Sequence, residues 1–262
     1  MRIAIYQGPP GAPGKAAVLD LLERRMAEAA AAGARLLVAP EMIVGGYNIG
    51  PAGVAAAAET ADGPAAARLA AAAREHRIAV AYGYAERDPA TGAVYNAAQA
   101  IDSGGTRLVS HRKCHLFGDL DRAAFAPGED LAPIFEIEGL RCGILICYDV
   151  EFPEAVRSYA LQGVDLVLVP TALMLPFDFI PEKMVPTRAF ENQVFIAYAN
   201  RIGTEGDLTY AGLSVVAAPD GVDRARAGRG EELLLADIDP GAAAAARAAN
   251  PYLADRRPRL YR

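Results

Sequence analysis

The chain has 262 residues, and its 26 Lys and Arg against 32 Asp and Glu give a formal net charge of −6. This length suits one large α/β domain, and we expect a single domain over residues 1–262. The acidic balance argues against a nucleic-acid-binding protein, which normally presents a basic surface. No apolar run reaches the roughly 18 residues of a membrane span, and the N-terminus has no signal-peptide pattern. We therefore expect a cytoplasmic protein without nucleic-acid or membrane partners.

Cysteine and histidine are scarce, with three of each in the chain. No Cys pair has metal-ligand spacing, so the sequence predicts neither a disulfide framework nor a Cys-based zinc site. Three His also argue against a His-rich metal site. Cys142 is predicted to be a core residue and Cys114 a packing residue. These interpretations leave Cys147 as the candidate for chemistry.

In the first half of the chain, apolar spacing predicts alternating strands and helices. Val18, Leu22 and Met26 recur at helical spacing, and Gly33 marks a helix end. The predicted elements are a strand at 2–7, a helix at 16–32, a strand at 36–39, a loop at 45–51, a helix at 64–76, a strand at 78–84 and a hairpin over 95–112.

The second half continues the alternation after a predicted long loop at 113–133. The predicted elements are strands at 134–137 and 140–147, a helix at 153–161, a strand at 166–169, a helix at 179–192, a strand at 194–199, β segments at 214–218 and 233–238, and an Ala-rich tail from 242. This mixture of hairpins and strand–helix units predicts mixed sheets covered by helices.

Three chemically active residues directly follow predicted strands. Glu41 follows the strand at 36–39, Lys113 follows the strand ending near Arg112, and Cys147 closes an apolar strand. Sites in α/β proteins form beyond the carboxyl ends of strands. A thiol needs a base to become a nucleophile, and a Glu in a water-poor pocket can serve. A Lys can keep that Glu ionised and donate to an oxyanion. The three residues form a workable catalytic set.

Other interpretations stay open at this point. Taken alone, Cys147 could be an inert core thiol, Glu41 an exposed loop carboxylate and Lys113 a solvated charge. His111 and His115 flank Lys113 and could create a Cys–His enzyme. That alternative is disfavoured because His115 falls in the predicted loop and His111 alternates along a strand.

Many segments resemble the nitrilase superfamily, also called the carbon–nitrogen hydrolases. They are LVAPE at 37–41, YN at 95–96, HRKCHLFG at 111–118, FAPG at 125–128, GILICYD at 143–149, FPE at 152–154, VPTA at 169–172, RAFEN at 188–192 and YAN at 198–200. Together they span essentially the whole chain. Within the family, the segments at 46–50, 116–121 and 252–257 resemble bacterial aliphatic amidases such as the 5-aminopentanamidases.

The resemblance implies a four-layer αββα sandwich that pairs into a homodimer. It assigns Cys147 as nucleophile, Glu41 as general base and Lys113 as stabiliser of the tetrahedral intermediate, together with the backbone N–H of Tyr148. The implied reaction releases ammonia from a small amide, forms a thioester on Cys147 and hydrolyses it to the acid. It implies no metal or organic cofactor.

One position departs from the family pattern. Members often carry a second Glu eight residues beyond the Lys, and this chain has Asp121 there. Asp is one methylene shorter, which alters the geometry of any contact with substrate. Asp119 competes for the same role. Loss of the Glu also leaves open a catalytically silent binding or scaffold protein of the same fold.

The charges after Cys147 indicate the substrate class. Relatives that bind carboxylate-bearing substrates place Arg in this segment, whereas this chain has Asp149, Glu151 and Glu154. The pattern favours neutral or ω-amino amides, with N-carbamoyl amides and nitriles as alternative substrates. The candidate substrate-binding residues are Tyr47, Tyr148, Glu151 and Thr171. Arg188 and Glu191, three apart on a predicted helix, are expected to form a structural ion pair.

Overall fold

Two six-stranded sheets form the centre of the molecule in a computed structural model that describes residues 1–10 and 14–261. The strands are β1 (Arg2–Gln7), β2 (Leu36–Val38), β3 (Ala79–Arg87), β4 (Val94–Ile101), β5 (Arg107–Arg112), β6 (Phe135–Ile137), β7 (Leu140–Ile144), β8 (Leu166–Pro170), β9 (Phe195–Ala199), β10 (Thr204–Glu205), β11 (Leu208–Thr209), β12 (Val215–Ala217), β13 (Ala225–Arg226) and β14 (Glu232–Asp237).

The helices cover the two sheets from outside. They are α1 (Lys15–Ala31), α2 (Gly50–Ala57), α3 (Pro64–His76), α4 (Gly118–Ala124), α5 (Pro153–Leu161), α6 (Val185–Asn192) and α7 (Pro240–Ala249). Single 3₁₀ turns occupy Cys147–Glu151 and Pro258–Leu260, and a π-helical turn at Ile180–Met184 leads into α6.

Both sheets are mixed. The first has the order β14-β1-β2-β3-β4-β5, and the second has the order β13-β12-β9-β8-β7-β6. Strands β1, β2 and β3 run parallel, as do β7, β8 and β9, while the outer strands pair antiparallel. The carboxyl ends of the central parallel strands β2 and β8 therefore come together at one end of the sandwich, where Glu41 donates its backbone N–H to the carbonyl of Thr171.

Side-chain alternation along the strands explains the layers. On β1, Ile3 and Ile5 pack into a core that also holds Leu168 of the second sheet, whereas Ala4 packs on the opposite face with Leu22 of α1. Successive strand residues point to opposite faces, so one apolar strand serves two layers. The second sheet packs likewise against α5 and α6. The result is the four-layer αββα sandwich.

Most predicted elements are present, with three corrections. A helix, α2, begins at Gly50 inside the predicted loop at 45–51, because Pro51 is suited to the first helical turn. Helix α4 lies within the predicted loop at 113–133. The strand predicted to end at Cys147 ends at Ile144. The helix predicted over 179–192 is present as a π-helical turn followed by α6, with Pro181 and Pro186 at the start of each.

Helix α4 was missed because it has only seven residues and Phe117, at its N-cap, is not a residue type that usually caps a helix. The backbone N–H of Phe117 donates to the Asp121 carboxylate at 2.8 Å, which satisfies an otherwise free donor at the helix start.

Within the described part of the chain, no helix combines the length and apolar character required to cross a membrane.

Candidate active site

Three strand-end side chains form a buried charged cluster. The Lys113 ammonium donates to Glu41 Oε1 at 2.8 Å and to Asp121 Oδ2 at 2.7 Å. All three side chains are completely buried. Cys147 lies beside them, close enough for the charges of Glu41 and Lys113 to act on its thiol. The structure therefore brings the predicted set together.

Glu41 is held by a second donor. Asn96 Nδ2 also donates to Glu41 Oε1, at 2.7 Å. Among the described residues, Glu41 Oε2 has no hydrogen-bond partner although it is buried. One oxygen of this carboxylate is thus fixed by two donors, and the other is free to accept a proton.

Cys147 occupies an uncommon backbone conformation. Its φ is +45°, in the left-handed region that costs an L-residue energy, and it begins the 3₁₀ turn after β7. The side chain is 8% exposed, so the thiol is nearly enclosed. The strained turn directs the thiol away from the path of the strand and toward the Glu41–Lys113 pair.

The pKa values follow from burial and charge. Burial raises the pKa of the Cys147 thiol well above its usual value; the Glu41 carboxylate adds to this, while Lys113 opposes it. For Lys113, burial lowers the pKa, but attraction to Glu41, Tyr47 and Asp121 outweighs it and the pKa is raised. The resting site therefore contains a neutral thiol and a charged ammonium, so the thiol needs a base during attack.

The structure distinguishes the two candidate aspartates. Asp121 is buried and accepts from Lys113, from the Phe117 backbone and from the Tyr47 hydroxyl, the last at 2.7 Å. Asp119 is fully exposed and lies 3.7 Å from Arg122. Only Asp121 belongs to the cluster.

The four predicted pocket residues lie in different surroundings. Tyr47 is buried, and its hydroxyl is bound to Asp121. Thr171 is buried and donates its hydroxyl to the Val169 carbonyl at 3.1 Å. Tyr148 is half-buried and makes edge contacts with two phenylalanine rings. Glu151 is half-buried beside the site, and burial raises its pKa to about 7, against the opposing charges of Lys113 and Arg188.

Two of the acidic residues invoked for substrate class lie outside the pocket. Asp149 is completely buried and hydrogen-bonded to His111 and His115. Glu154 is exposed in the first turn of α5, where negative charge favours the helix. Of these three residues, only Glu151 lies close enough for its charge to act on the Cys147 thiol, so the charge argument rests on one residue instead of three.

The histidines do not form a Cys–His pair with Cys147 in the described structure. Both imidazoles are directed to the Asp149 carboxylate. The ion pair expected between Arg188 and Glu191 is present at 3.0 Å. As predicted, Cys142 is fully buried, and Cys114 is partly buried and packs against backbone carbonyls.

The sequence analysis did not identify Asn96 as a hydrogen-bond donor to Glu41, and it did not identify Arg201 as a site residue. Arg201 is completely buried; its Nε donates to the Glu41 carbonyl at 3.0 Å, and its Nη2 donates to the Met42 carbonyl. It thereby fixes the backbone that carries Glu41, where Met42 has a φ of +49°. The signal was available, because Arg201 also follows an apolar strand.

Comparison with known proteins identifies the class. The carbon–nitrogen hydrolase family matches residues 2–248, and the chain belongs to that family. It is similar to a protein described as a hydrolase in the pqqF 5′ region of Pseudomonas protegens, with 49% identity over all of this chain and 90% of that protein. It is also similar to an (R)-stereoselective amidase from Pseudomonas sp., with 36% identity over 85% of this chain and 79% of that protein.

Solved structures agree with this assignment. The amidase from Nesterenkonia sp. AN1 matches with a TM-score of 0.84 and 36% identity, over 100% of this chain and 98% of that chain. A mutant of that amidase shows the result of Michael addition of acrylamide at its active-site cysteine. The protein described here is therefore an enzyme, a carbon–nitrogen hydrolase whose relatives include amidases.

Proposed function

We propose that the protein hydrolyses small aliphatic amides to the acid and ammonia through a thioester on Cys147. The observation that carries this proposal is the Glu41–Lys113–Asp121 cluster beside a buried thiol, with Glu41 Oε2 free of partners among the described residues. A base, a cation and a nucleophile thus share one buried site, where electrostatic interactions are stronger than in water.

The first half-reaction forms the thioester. As Cys147 Sγ attacks the amide carbon, Glu41 Oε2 takes the thiol proton. Lys113 and the backbone N–H of Tyr148 stabilise the oxyanion of the tetrahedral intermediate. Glu41 then gives its proton to the amide nitrogen, the C–N bond breaks and ammonia leaves.

The second half-reaction consumes water. Glu41 removes a proton from a water molecule, which attacks the thioester carbon, and Lys113 again stabilises the oxyanion. Collapse breaks the C–S bond, the acid leaves and the proton returns to Cys147. The acrylamide adduct on the active-site cysteine of the Nesterenkonia amidase supports this assignment of the nucleophile.

The test is ammonia release from a panel of primary amides by wild type and by Cys147→Ala. The proposal predicts ammonia release with the wild type and none with the variant. It also predicts that mass spectrometry of the wild type detects the acyl group on Cys147. No release from any amide would instead support a catalytically silent homologue. Nitriles and N-carbamoyl compounds in the same panel test the alternatives, because carbamoyl substrates also release carbon dioxide.

For the substrate, we propose neutral or ω-amino amides such as 5-aminopentanamide. Glu151 supports this, since it is the carboxylate that lies partly exposed beside Cys147. An ionised Glu151 attracts an ammonium group and repels a carboxylate. The test compares the KM values of pentanamide, 5-aminopentanamide and the ω-carboxy amide of the same length. The ω-carboxy amide should have the highest KM.

We also propose that the enzyme is a cytoplasmic homodimer. Phe190 and Tyr252 pack edge to face with their rings 5.8 Å apart, and both remain over a third exposed, which suits burial by a second copy. All three Cys are free thiols, and a reducing compartment keeps thiols in that state. Light scattering and cell fractionation test these two statements.

A further inference from the structure

The Asp149 carboxylate, next to the site, accepts four hydrogen bonds. Its Oδ1 accepts from the His115 backbone N–H at 2.9 Å and from His115 Nδ1 at 2.8 Å. Its Oδ2 accepts from His111 Nε2 at 3.1 Å and from the Ile146 backbone N–H at 3.1 Å. Asp149 itself is completely buried. Four donors thus converge on a carboxylate that the proposed reaction does not use.

The positions of these donors are informative. His111 lies two residues before Lys113, within β5, and His115 lies two residues after Lys113, beyond the end of that strand. Ile146 directly precedes Cys147, and Asp149 lies on the same 3₁₀ turn as the nucleophile. Asp149 therefore connects the segment that carries the cation of the first sheet with the turn that carries the thiol of the second sheet.

We propose that Asp149 is a positioning residue, which sets the placement of Lys113 relative to Cys147 by binding His111, His115 and the Ile146 backbone at once. The inference rests on the proposed function, because it assigns Lys113 and Cys147 their roles. Asp149 does not contact the reacting atoms; it acts through the two segments that it joins.

The electrostatics agree with this role. Burial alone would raise the pKa of Asp149. The hydrogen bonds from His111 and His115, with the charge interaction with His111, outweigh burial and hold the pKa well below its usual value. The group stays a carboxylate, which accepts four hydrogen bonds without donating any. In Asp149→Asn, the side-chain NH₂ group would face N–H groups that donate to Asp149 in the wild type, and two donors cannot form a hydrogen bond with each other.

A metal-binding interpretation of the same cluster is weaker. His111, Cys114 and Asp149 place potential ligand atoms within 4.8 Å of one another. However, both Asp149 oxygens already accept two hydrogen bonds each, and burial raises the pKa of Cys114 to about 12, which keeps it a neutral thiol. The cluster is organised as a hydrogen-bond junction.

The central test is a matched pair at His111. In His111→Gln, the amide Nε2 can replace the imidazole donor to Asp149, whereas His111→Met fills a similar volume without a donor. The proposal predicts that His111→Gln keeps kcat within about threefold of wild type. His111→Met should lose at least tenfold and Asp149→Asn about 100-fold in kcat, with KM changed less than threefold, because a 1 Å misplacement is this costly.

A second readout does not depend on amide turnover. Iodoacetamide carries a primary amide and alkylates thiols, so the rate at which it labels Cys147, followed by peptide mass spectrometry, reports on the placement of the thiol. The rate should follow the same order as kcat among the variants. If wild type hydrolyses no amide, the proposed function fails, while the labelling order still decides whether Asp149 positions the site.

The control separates positioning from folding. Tyr82→Phe removes a buried hydrogen bond to Gln99 on the helix-facing side of the first sheet. It should lower Tm as much as the His111 variants while kcat and labelling stay at wild-type values. The inference is overturned if folded His111→Met keeps wild-type kcat and labelling, or if His111→Gln is as impaired as His111→Met. If Asp149→Asn fails to fold, the His111 pair decides.

Discussion

The two sheets contribute unlike halves to the site. The half that follows β2 and β5 holds Glu41 and Lys113, is fully buried and is tightly hydrogen-bonded through Asp121. The half that follows β7 holds Cys147 in a strained turn, with Tyr148 and Glu151 partly exposed. The first half is built to hold charges at fixed distances, and the second half faces the incoming amide. We infer that the first half supplies the base and the cation, and that the second half supplies the nucleophile and the residues that select the substrate.

The most severe way to break the first half is Glu41→Gln. Gln keeps the shape and an acceptor for Asn96 but cannot take the thiol proton, so kcat should fall about 10³-fold with KM nearly unchanged. Steady-state ammonia release measures it. Glu154→Gln, which changes an exposed carboxylate in α5, is the control and should match wild type. Retention of more than a tenth of the wild-type kcat by Glu41→Gln would contradict its role as base.

Asp121→Asn should be the next largest change. Removing one carboxylate from the buried Lys113 should cost about 3 kcal/mol in the free energy of unfolding and at least tenfold in kcat. Denaturant melts and kinetics measure both. Asp119→Asn is matched in chemistry but exposed, so its free energy of unfolding should stay within about 0.5 kcal/mol of wild type. Equal effects of the two substitutions would remove Asp121 from the site.

Glu151 offers a way to sharpen the comparison by pH. Its pKa is raised to about 7 by burial, so in the free enzyme it becomes ionised as pH rises through 7. The KM for 5-aminopentanamide should therefore fall about tenfold between pH 6 and 8, whereas the KM for pentanamide should not change. Glu151→Gln should make the two amides behave alike. A parallel pH response of both amides in wild type would exclude the contact.

The same pKa has a consequence for stability. A carboxyl whose folded pKa lies above its ordinary 4.5 binds its proton more tightly in the folded state. It therefore contributes stability below pH 4.5 that is lost as pH rises through about 7. Glu151→Gln should flatten this part of the pH–Tm curve, which differential scanning calorimetry measures.

Tyr47→Phe should have the smallest effect on turnover. It removes the hydroxyl that donates to Asp121 Oδ1, but Lys113 and the Phe117 backbone still bind the other oxygen. The free energy of unfolding should fall by about 1–3 kcal/mol, because a buried carboxylate oxygen loses its partner. A loss of kcat greater than tenfold would show that Tyr47 contacts the substrate.

The sequence predicts the part of the site that obeys a local rule. Glu41, Lys113 and Cys147 each lie at or within three residues of the end of a strand, and that rule found them. Asp149 was interpreted as a pocket charge because its partners His111 and His115 are more than 30 residues away in sequence. No local pattern contains such a distance. Arg201 obeys the strand-end rule but was overlooked, since a guanidinium whose hydrogen bonds go to the backbone carbonyls of Glu41 and Met42 belongs to no sequence motif.

In the proposed reaction, the unpartnered oxygen of Glu41 also sets an order of events. Among the described residues, Oε1 is occupied by Lys113 and Asn96, so every proton in the cycle must pass through Oε2. Oε2 cannot serve a departing ammonia and an arriving water together. Ammonia must therefore leave before hydrolysis begins, and the acyl group stays bound to Cys147 until a water molecule has replaced the ammonia.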